Sequence, residues 1–162
     1  PNVYAYRFDW DEQPNILGMD FSFLLGAGHG LEIPFVMGDF DFGKQTRFLF
    51  TKKNEYERNK LSKVIMQYWA HFAKKGYPSN ESKNITLWDK WPKGGTNQNR
   101  IMILDTEKSN APRMSNGYVP HNKLVTIFEN DERSLKVDNK CNFLEDVYSW
   151  VDNWKSKNNF CQ

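Results

Sequence analysis

The chain has 162 residues and a formal net charge of +2, and its length fits one domain. Because the charge is nearly balanced and no sustained basic stretch occurs, the composition argues against a nucleic-acid-binding protein. No apolar run approaches the length of a membrane span. Aromatic residues make up 15% of the chain and supply the large apolar area that fills cores or lines pockets and interfaces.

The N-terminal part of the chain predicts a strand, a glycine-rich turn and a short helix. Residues 3–10 are rich in aromatic residues and predict a β-strand. A loop over 11–18 and a short apolar stretch over 21–25 lead into the glycine-rich turn. Residues 31–37 are apolar and predict a short helix that Gly38 ends.

The central part predicts one long helix between two loops. Residues 39–53 mix glycine, phenylalanine and charged residues, which indicates a lid-like loop. Residues 54–75 carry apolar side chains at the i, i+3 and i+4 spacing of a helix, which Gly76 ends. Residues 79–99 are rich in Asn, Lys, Gly and Thr and predict a surface loop, and a second strand follows over 100–105.

The C-terminal part has weaker patterns. Residues 111–137 are polar and ambiguous, with a third strand predicted over 123–128, and residues 142–155 predict an amphipathic helix. So few strands cannot complete a doubly wound sheet, and strand 3–10 would leave a long apolar edge unpaired, which proteins avoid. We therefore expect another segment of the same precursor to pair with this edge.

One histidine stands in a setting that is typical of catalysis. His29 lies in the sequence GAGHGLEIPFVMG, residues 26–38, between the first strand and the short helix. A serine that transfers acyl groups needs a base within hydrogen-bond reach, and an α/β-hydrolase presents that base on a glycine-flanked loop after a strand. The other interpretation is a loop histidine without a role. The chain has no Gly-x-Ser-x-Gly sequence that could supply the nucleophile.

The polar and aromatic residues near His29 allow several interpretations. Glu32, three residues later, could be the acid of a triad or half of a metal site, but no second His-x-x-Glu motif and no nearby cysteine accompany it, so we expect no metal. His71 is expected to pack on the long helix, and His121 to be solvated in a polar loop. The aromatic residues after the His29 loop either line an acyl or alcohol pocket or pack in a core or interface: Phe35, Phe40 and Phe42.

Residues 26–38 resemble the catalytic-histidine motif of the type-B carboxylesterase and cholinesterase family. Residues 3–8 resemble the family's strand before that loop, and residues 61–76 resemble the long helix after it. The strand 102–105 resembles the family's last strand. The resemblance covers most of residues 1–110 and is thin beyond them.

This resemblance implies an α/β-hydrolase fold, of which residues 1–162 form the C-terminal portion and residues 111–162 a weakly matched extension. It implies that His29 is the general base and acid in the hydrolysis of a small-molecule carboxylic ester, without a cofactor, and that Glu32 is a structural carboxylate close by. The nucleophilic serine, the acid and the oxyanion hole would come from an upstream segment or N-terminal partner chain. Serines in no suitable context are rejected as the nucleophile: Ser22, Ser62, Ser109 and Ser115.

The remaining sequence features concern the compartment. Cys141 and Cys161 either form one disulfide near the C-terminus or stay free. Asn80 and Asn84 each begin an Asn-x-Ser/Thr triplet, the acceptor pattern for glycosylation. Together these features favour a secreted or periplasmic protein.

Two functions of other classes compete with ester hydrolysis. Relatives of the family without a working triad serve as adhesion or interaction domains, and the retained His29 argues against this alternative. A stand-alone binding module is the third interpretation, and the unpaired edge of strand 3–10 argues against it. A serine in a Gly-x-Ser-x-Gly turn of the upstream segment would decide for the esterase.

Overall fold

The computed structural model describes residues 1–41, 43–44, 46–78, 85–92, 100–117, 121–131 and 139–149. Several residues singled out above lie outside this part of the chain: Phe42, Asn80, Asn84 and Cys161. The chain divides into two compact units, Pro1–Gly117 and Tyr118–Gln162. No helix in the described ranges is both long enough and apolar enough to cross a membrane.

In the first unit, three described strands are followed by three helices and then by two further strands with a 3-10 turn between them. They are β1 (Ala5–Phe8), β2 (Asn15–Ile16), β3 (Met19–Asp20), α1 (Phe21–Leu25), α2 (Ile33–Met37), α3 (Glu55–Lys75), β4 (Ile101–Leu104), a 3-10 turn (Glu107–Ser109) and β5 (Arg113–Ser115). The second unit contains α4 (His121–Asn130) and α5 (Lys140–Tyr148).

Strand β4 lies at the centre of a three-stranded sheet with the order β1-β4-β5. It pairs in parallel with β1, with Ala5 opposite Ile101, and antiparallel with β5, with Ile101 opposite Ser115. A parallel pair needs a long crossover, which here includes α2 and α3, so the first unit has an α/β architecture. Among the described residues, no strand pairs with the other edge of β1.

The long helix α3 follows its predicted bounds almost completely. Glu55–Lys75 are helical where 54–75 was expected, with acidic residues in the first turn and lysines in the last that complement the helix dipole. Gly76 ends the helix in the left-handed conformation at φ 78°, and its N–H donates to the Phe72 carbonyl. The face toward the core carries Leu61, Ile65 and Tyr68.

An interlocked set of aromatic rings forms the core of the first unit. Trp10, Phe35 and Tyr68 have no exposed surface. The Phe35 ring lies 5.1 Å from the ring of Phe8 and 5.0 Å from that of Phe40, in edge-to-face arrangements that aromatic pairs prefer. Burial raises the pKa of Tyr68 to about 12. These contacts fix α2 and α3 on the sheet.

The first unit departs from the sequence predictions at its short elements. The predicted loop 11–18 contains β2, which pairs with β3, and residues 21–25 form α1. The predicted lid-like loop 39–53 has no helix or strand among its described residues, yet Phe40 and Phe50 pack against the core. Strand β5 was missed.

The second unit corrects one prediction outright. The strand predicted over 123–128 is wrong, because these residues belong to α4, and His121 begins that helix instead of lying in a loop. Helix α5 begins at Lys140, two residues before the predicted start, and its described part ends at Tyr148. In the core of the second unit, Val125 of α4 packs with Leu144 of α5. Cys141 is disulfide-bonded.

Candidate functional site

His29 lies in the loop between α1 and α2, and its side chain is exposed. Two tight turns shape this loop: the N–H of Leu31 donates to the Gly28 carbonyl at 3.1 Å, and the N–H of Ile33 donates to the Gly30 carbonyl at 3.2 Å. No hydrogen bond or ion pair joins the imidazole to another residue in the part of the chain that the structure describes. The ring is therefore available to a partner outside this part of the chain.

The helix after the loop is fixed to α3 by burial, a hydrogen bond and a close approach. Phe35 is fully buried, and its carbonyl accepts a hydrogen bond from Ser62 Oγ at 2.8 Å. Gly38 ends α2 at φ 69°, and a Cβ at this position would lie 2.6 Å from the sulfur of Met66. Only glycine fits this contact without a shift, so α2 lies directly against α3.

The short helix before the loop is held at both ends. At its start, the Asp20 carboxylate accepts hydrogen bonds from the Ser22 hydroxyl and from the N–H groups of Phe23 and Ser22, and these bonds, the hydroxyl's first, lower the pKa of Asp20. At its end, Gly26 adopts φ 51° and ψ −145°, and its N–H donates to the Ser22 carbonyl at 2.9 Å. The Gly26 carbonyl accepts a hydrogen bond from Gln13 Nε2 at 2.7 Å.

Glu32 is half-buried directly before α2, where its backbone, and not its carboxylate, takes part in the helix. The Glu32 carbonyl accepts hydrogen bonds from the N–H groups of Phe35 and Val36, each 3.0 Å long. Burial raises the pKa of Tyr6 on β1, and the nearby Glu32 charge raises it further. The carboxylate is thus close to β1, and its role as a structural group near the site stays a prediction.

The serines rejected as nucleophiles are occupied with other partners. Ser22 Oγ donates to Asp20, Ser62 Oγ donates to the Phe35 carbonyl, and Ser115 Oγ accepts from the N–H of Gly117. The Ser109 side chain lies close to the Asp105 carboxylate, where it opposes the rise in the pKa of Asp105 that burial causes. Within the described ranges, none of the four is hydrogen-bonded to His29.

The aromatic residues predicted for a substrate pocket lie in or beside the core. Phe35 is enclosed by other rings, and Phe40 is half-buried with the Arg58 guanidinium 4.5 Å from its ring centre. Core packing was the alternative interpretation, and Phe35 does pack in the core, where it is fully buried. That these residues form a wall of an acyl or alcohol pocket stays a prediction. Phe42 lies outside the described residues.

Sequence reasoning missed two buried polar residues that support this region. Arg58 is 6% exposed and donates to the Thr51 carbonyl and to Asn54, and burial lowers its pKa. Gln13 is likewise 6% exposed. Neither follows a period or a motif, so only their three-dimensional neighbours reveal them. No cluster of three or more His, Cys, Asp or Glu side chains that could hold a metal occurs in the described part of the chain.

Apolar side chains flank His29 on both sides in the sequence and are exposed. Phe23 of α1 is 91% exposed and Leu24 is 63% exposed, and Met37 of α2 is 69% exposed. Leu17, in the turn between β2 and β3, is 96% exposed. Apolar exposure of this extent in one stretch is typical of surfaces that contact another chain segment.

The comparisons with known proteins agree on one family. The sequence profile of the Carboxylesterase family matches residues 1–122. Acetylcholinesterase of Danio rerio is 29% identical over 96% of this chain and 24% of its own length. Para-nitrobenzyl esterase of Bacillus subtilis (strain 168) is 33% identical over 65% of this chain and 18% of its own length.

A solved PNB esterase structure is 33% identical over 64% of this chain and 18% of the other chain, with a TM-score of 0.45. Because that score is low, the assignment depends on the sequence matches. The chain spans about a quarter or less of the length of the curated relatives it matches. With the family profile matched over residues 1–122, the chain belongs to the carboxylesterase family.

Proposed function

We propose that this chain supplies the general base and acid, His29, of a serine carboxylesterase. The chain would form the C-terminal portion of an α/β-hydrolase. The nucleophilic serine, the acidic residue of the triad and the oxyanion hole would come from an upstream segment or from a partner chain of the same precursor. The carrying observation is an exposed histidine without a partner in the described residues, on a loop whose two flanking helices are both fixed.

Two further observations support a missing upstream segment. Strand β1 lies at the edge of the sheet in the described part of the chain, so its outer N–H and C=O groups are available to another strand. The apolar side chains of Phe23, Leu24 and Met37 are mostly exposed on either side of His29 in the sequence. A segment that covers both features would bury this apolar surface and bring a serine to the imidazole.

The proposed reaction uses His29 twice. The neutral imidazole accepts the proton of the serine hydroxyl while the serine oxygen attacks the acyl carbon of the ester. Backbone N–H groups of the upstream segment stabilise the oxyanion. The imidazolium then donates its proton to the leaving alcohol, and the neutral ring afterwards accepts a proton from the water that hydrolyses the acyl-enzyme.

The compartment remains part of the proposal. We infer a secreted or periplasmic protein, because Cys141 is disulfide-bonded and disulfides persist in oxidising compartments. The competing function is an inactive adhesion or interaction domain of the same family. In that case the upstream segment would contact the same apolar surface but would carry no serine in a Gly-x-Ser-x-Gly turn.

The first experiment is denaturing intact-mass analysis of the purified protein. A second, larger polypeptide in equal amount would support a two-chain esterase, and a single larger species would indicate an uncut precursor. If the protein purified from its natural source is a single species of 19.1 kDa, the proposal is contradicted, since no nucleophile would accompany His29.

The decisive test is His29→Ala in the assembled protein, measured by hydrolysis of p-nitrophenyl acetate. Loss of the base should lower kcat by about 10⁴-fold or more. The matched control is His71→Ala, because the His71 ring packs on Tyr77 and should not affect the reaction. Equal activity of both variants, or no activity of the wild-type assembly, would contradict the proposed function.

A further inference from the structure

We infer that Gln13 is a positioning residue for His29, an inference that rests on the proposed function. Gln13 follows β1 at a distance of several residues and is 6% exposed. Its Nε2 donates a hydrogen bond of 2.7 Å to the carbonyl of Gly26, which is the first residue of the loop that carries His29. The bond joins segments thirteen residues apart in the sequence.

Gly26 is the residue at which the chain turns from α1 into the loop. Its φ of 51° and ψ of −145° lie in a region that residues with a side chain rarely adopt, so the chain direction changes here. With its N–H bonded to the Ser22 carbonyl and its C=O bonded to Gln13, both peptide groups around the change of direction are fixed.

Within the loop, two backbone hydrogen bonds lie around His29 and none involves its side chain: the N–H of Leu31 donates to the Gly28 carbonyl, and the N–H of Ile33 donates to the Gly30 carbonyl. Glycines precede and follow the histidine, and glycine allows more backbone conformations than any other residue. The imidazole has no hydrogen-bonding partner among the described residues. The place of the ring therefore depends on its backbone, which Gln13 holds on one side and the contact of Ser62 with α2 holds on the other.

Gln13 is itself connected to the rigid core through its neighbour in the chain. The Glu12 carboxylate accepts a hydrogen bond of 2.7 Å from Oγ1 of Thr106, the second residue after β4. The Glu12 carbonyl accepts a hydrogen bond from Asn54 Nδ2 at 2.9 Å, directly before α3. The Gln13 amide thus transmits the position of the central strand and of the long helix to the His29 loop.

The chemistry of the contact requires a donor at residue 13. A carbonyl oxygen accepts a hydrogen bond from an amide N–H, but at neutral pH a carboxylate at the same place only repels it. Gln13→Met keeps the length of the side chain without a donor, and Gln13→Glu keeps its shape with an acceptor only. Both variants should free the Gly26 carbonyl. Gln67, exposed on α3, offers the matched controls Gln67→Met and Gln67→Glu.

The first readout is amide hydrogen exchange of Gly26 and Leu31 in the 162-residue chain, which needs no activity. The Gln13 variants should exchange about tenfold faster at these amides than the wild type, while the Gln67 variants should not. The second readout is p-nitrophenyl acetate hydrolysis by the assembly with the upstream polypeptide. There kcat should fall by about 10- to 100-fold while KM changes little, since a displaced base affects the reaction and not substrate binding.

The two readouts separate the inference from the proposed function. Unchanged exchange in both Gln13 variants would overturn the inference, as would faster exchange with an unchanged kcat. If the wild-type assembly hydrolyses no ester while exchange responds, the proposed function fails and the connection between Gln13 and the loop stands.

Discussion

The aromatic core and the stretch around His29 belong to the same unit of the chain but differ in how far their apolar side chains are exposed. In the core, Trp10, Phe35 and Tyr68 have no exposed surface. In the stretch from Leu17 to Met37, Leu17 is 96% exposed and Phe23 is 91% exposed. The chain completes its core with its own residues and leaves the surroundings of His29 incomplete.

The buried core contacts support the loop that carries His29, whereas the exposed apolar side chains near His29 are available to another chain segment. The support consists of buried contacts between α2, α3 and the strands, all within residues 1–117. The exposed side chains near His29 contribute little to that support. Substitutions in the two regions should therefore act on different properties, namely the stability of the chain in the first and its association in the second.

The largest expected effect on stability is that of Phe35→Ala. Removing a fully buried ring that contacts several others should lower the free energy of unfolding by about 3–5 kcal/mol. The matched control, Phe23→Ala, removes an exposed ring and should change it by about 0.5 kcal/mol or less. Urea denaturation of the 162-residue chain measures the free energy of unfolding of both variants. Similar decreases in the two would contradict the difference between the core and the stretch around His29.

Ser62→Ala should have the next largest effect. The Phe35 carbonyl would lose the hydroxyl that donates to it in a buried place, which costs about 1–3 kcal/mol. The control is Ser149→Ala, directly after α5, where the hydroxyl donates to the Asp146 carbonyl at the surface and should contribute much less. An equal change in the two variants, measured by urea denaturation, would show that the contact between α3 and α2 is dispensable.

Asp105→Asn should produce a smaller effect that depends on pH. Burial raises the pKa of Asp105, so its neutral form is favoured in the folded chain. The stability that such a carboxyl contributes is present below its unfolded value of 3.8 and is lost as the pH rises through the folded value. The variant should therefore gain more in Tm, relative to the wild type, at pH 7 than below pH 3.8.

Thermal unfolding at the two pH values measures this difference. Asp146→Asn on α5 is the control, because this substitution removes an exposed carboxyl and not a buried one. A difference in Tm between Asp105→Asn and the wild type that is the same at both pH values would contradict the prediction.

The smallest effect on stability is expected where apolar surface is exposed. Phe23→Ser combined with Leu24→Ser should change the free energy of unfolding by about 0.5 kcal/mol per residue or less. Binding of the fluorescent dye ANS to the isolated chain should nevertheless decrease, because the dye binds accessible apolar groups. Tyr56→Ser, at an exposed position of α3, is the control. Unchanged dye binding would show that the stretch near His29 is not an apolar surface.

The parts of the fold that follow a regular pattern could be predicted from the sequence. The 21-residue helix α3 carries its apolar side chains at helical spacing. Helix α2 ends at Gly38, as expected. Strands β2, β3 and β5 have only two or three residues each, which is too short for any alternation to be visible. Residues 123–128 are rich in strand-forming types, yet they are helical in α4, where Val125 and Phe128 pack in one cluster with Leu144.

The candidate site divides in the same way. His29 could be found because glycines on both sides and an apolar helix after it form a local motif. Gln13 could not be found, since its partner Gly26 is distant in sequence and no spacing relates the two. Phe35 was open to two interpretations because an apolar residue after the loop fits a pocket as well as a core, and only its neighbours show that it is enclosed.

The parallel pairing of β1 with β4 has a consequence for synthesis on the ribosome. Ala5 and Tyr6 emerge well before their partners Ile101 and Met102, which lie much further along the chain. Contacts between such distant segments close late, because the intervening chain must first be brought together. During that interval the His29 loop already exists without the sheet that orients it, and its exposed apolar neighbours are open to chaperones as well as to aggregation.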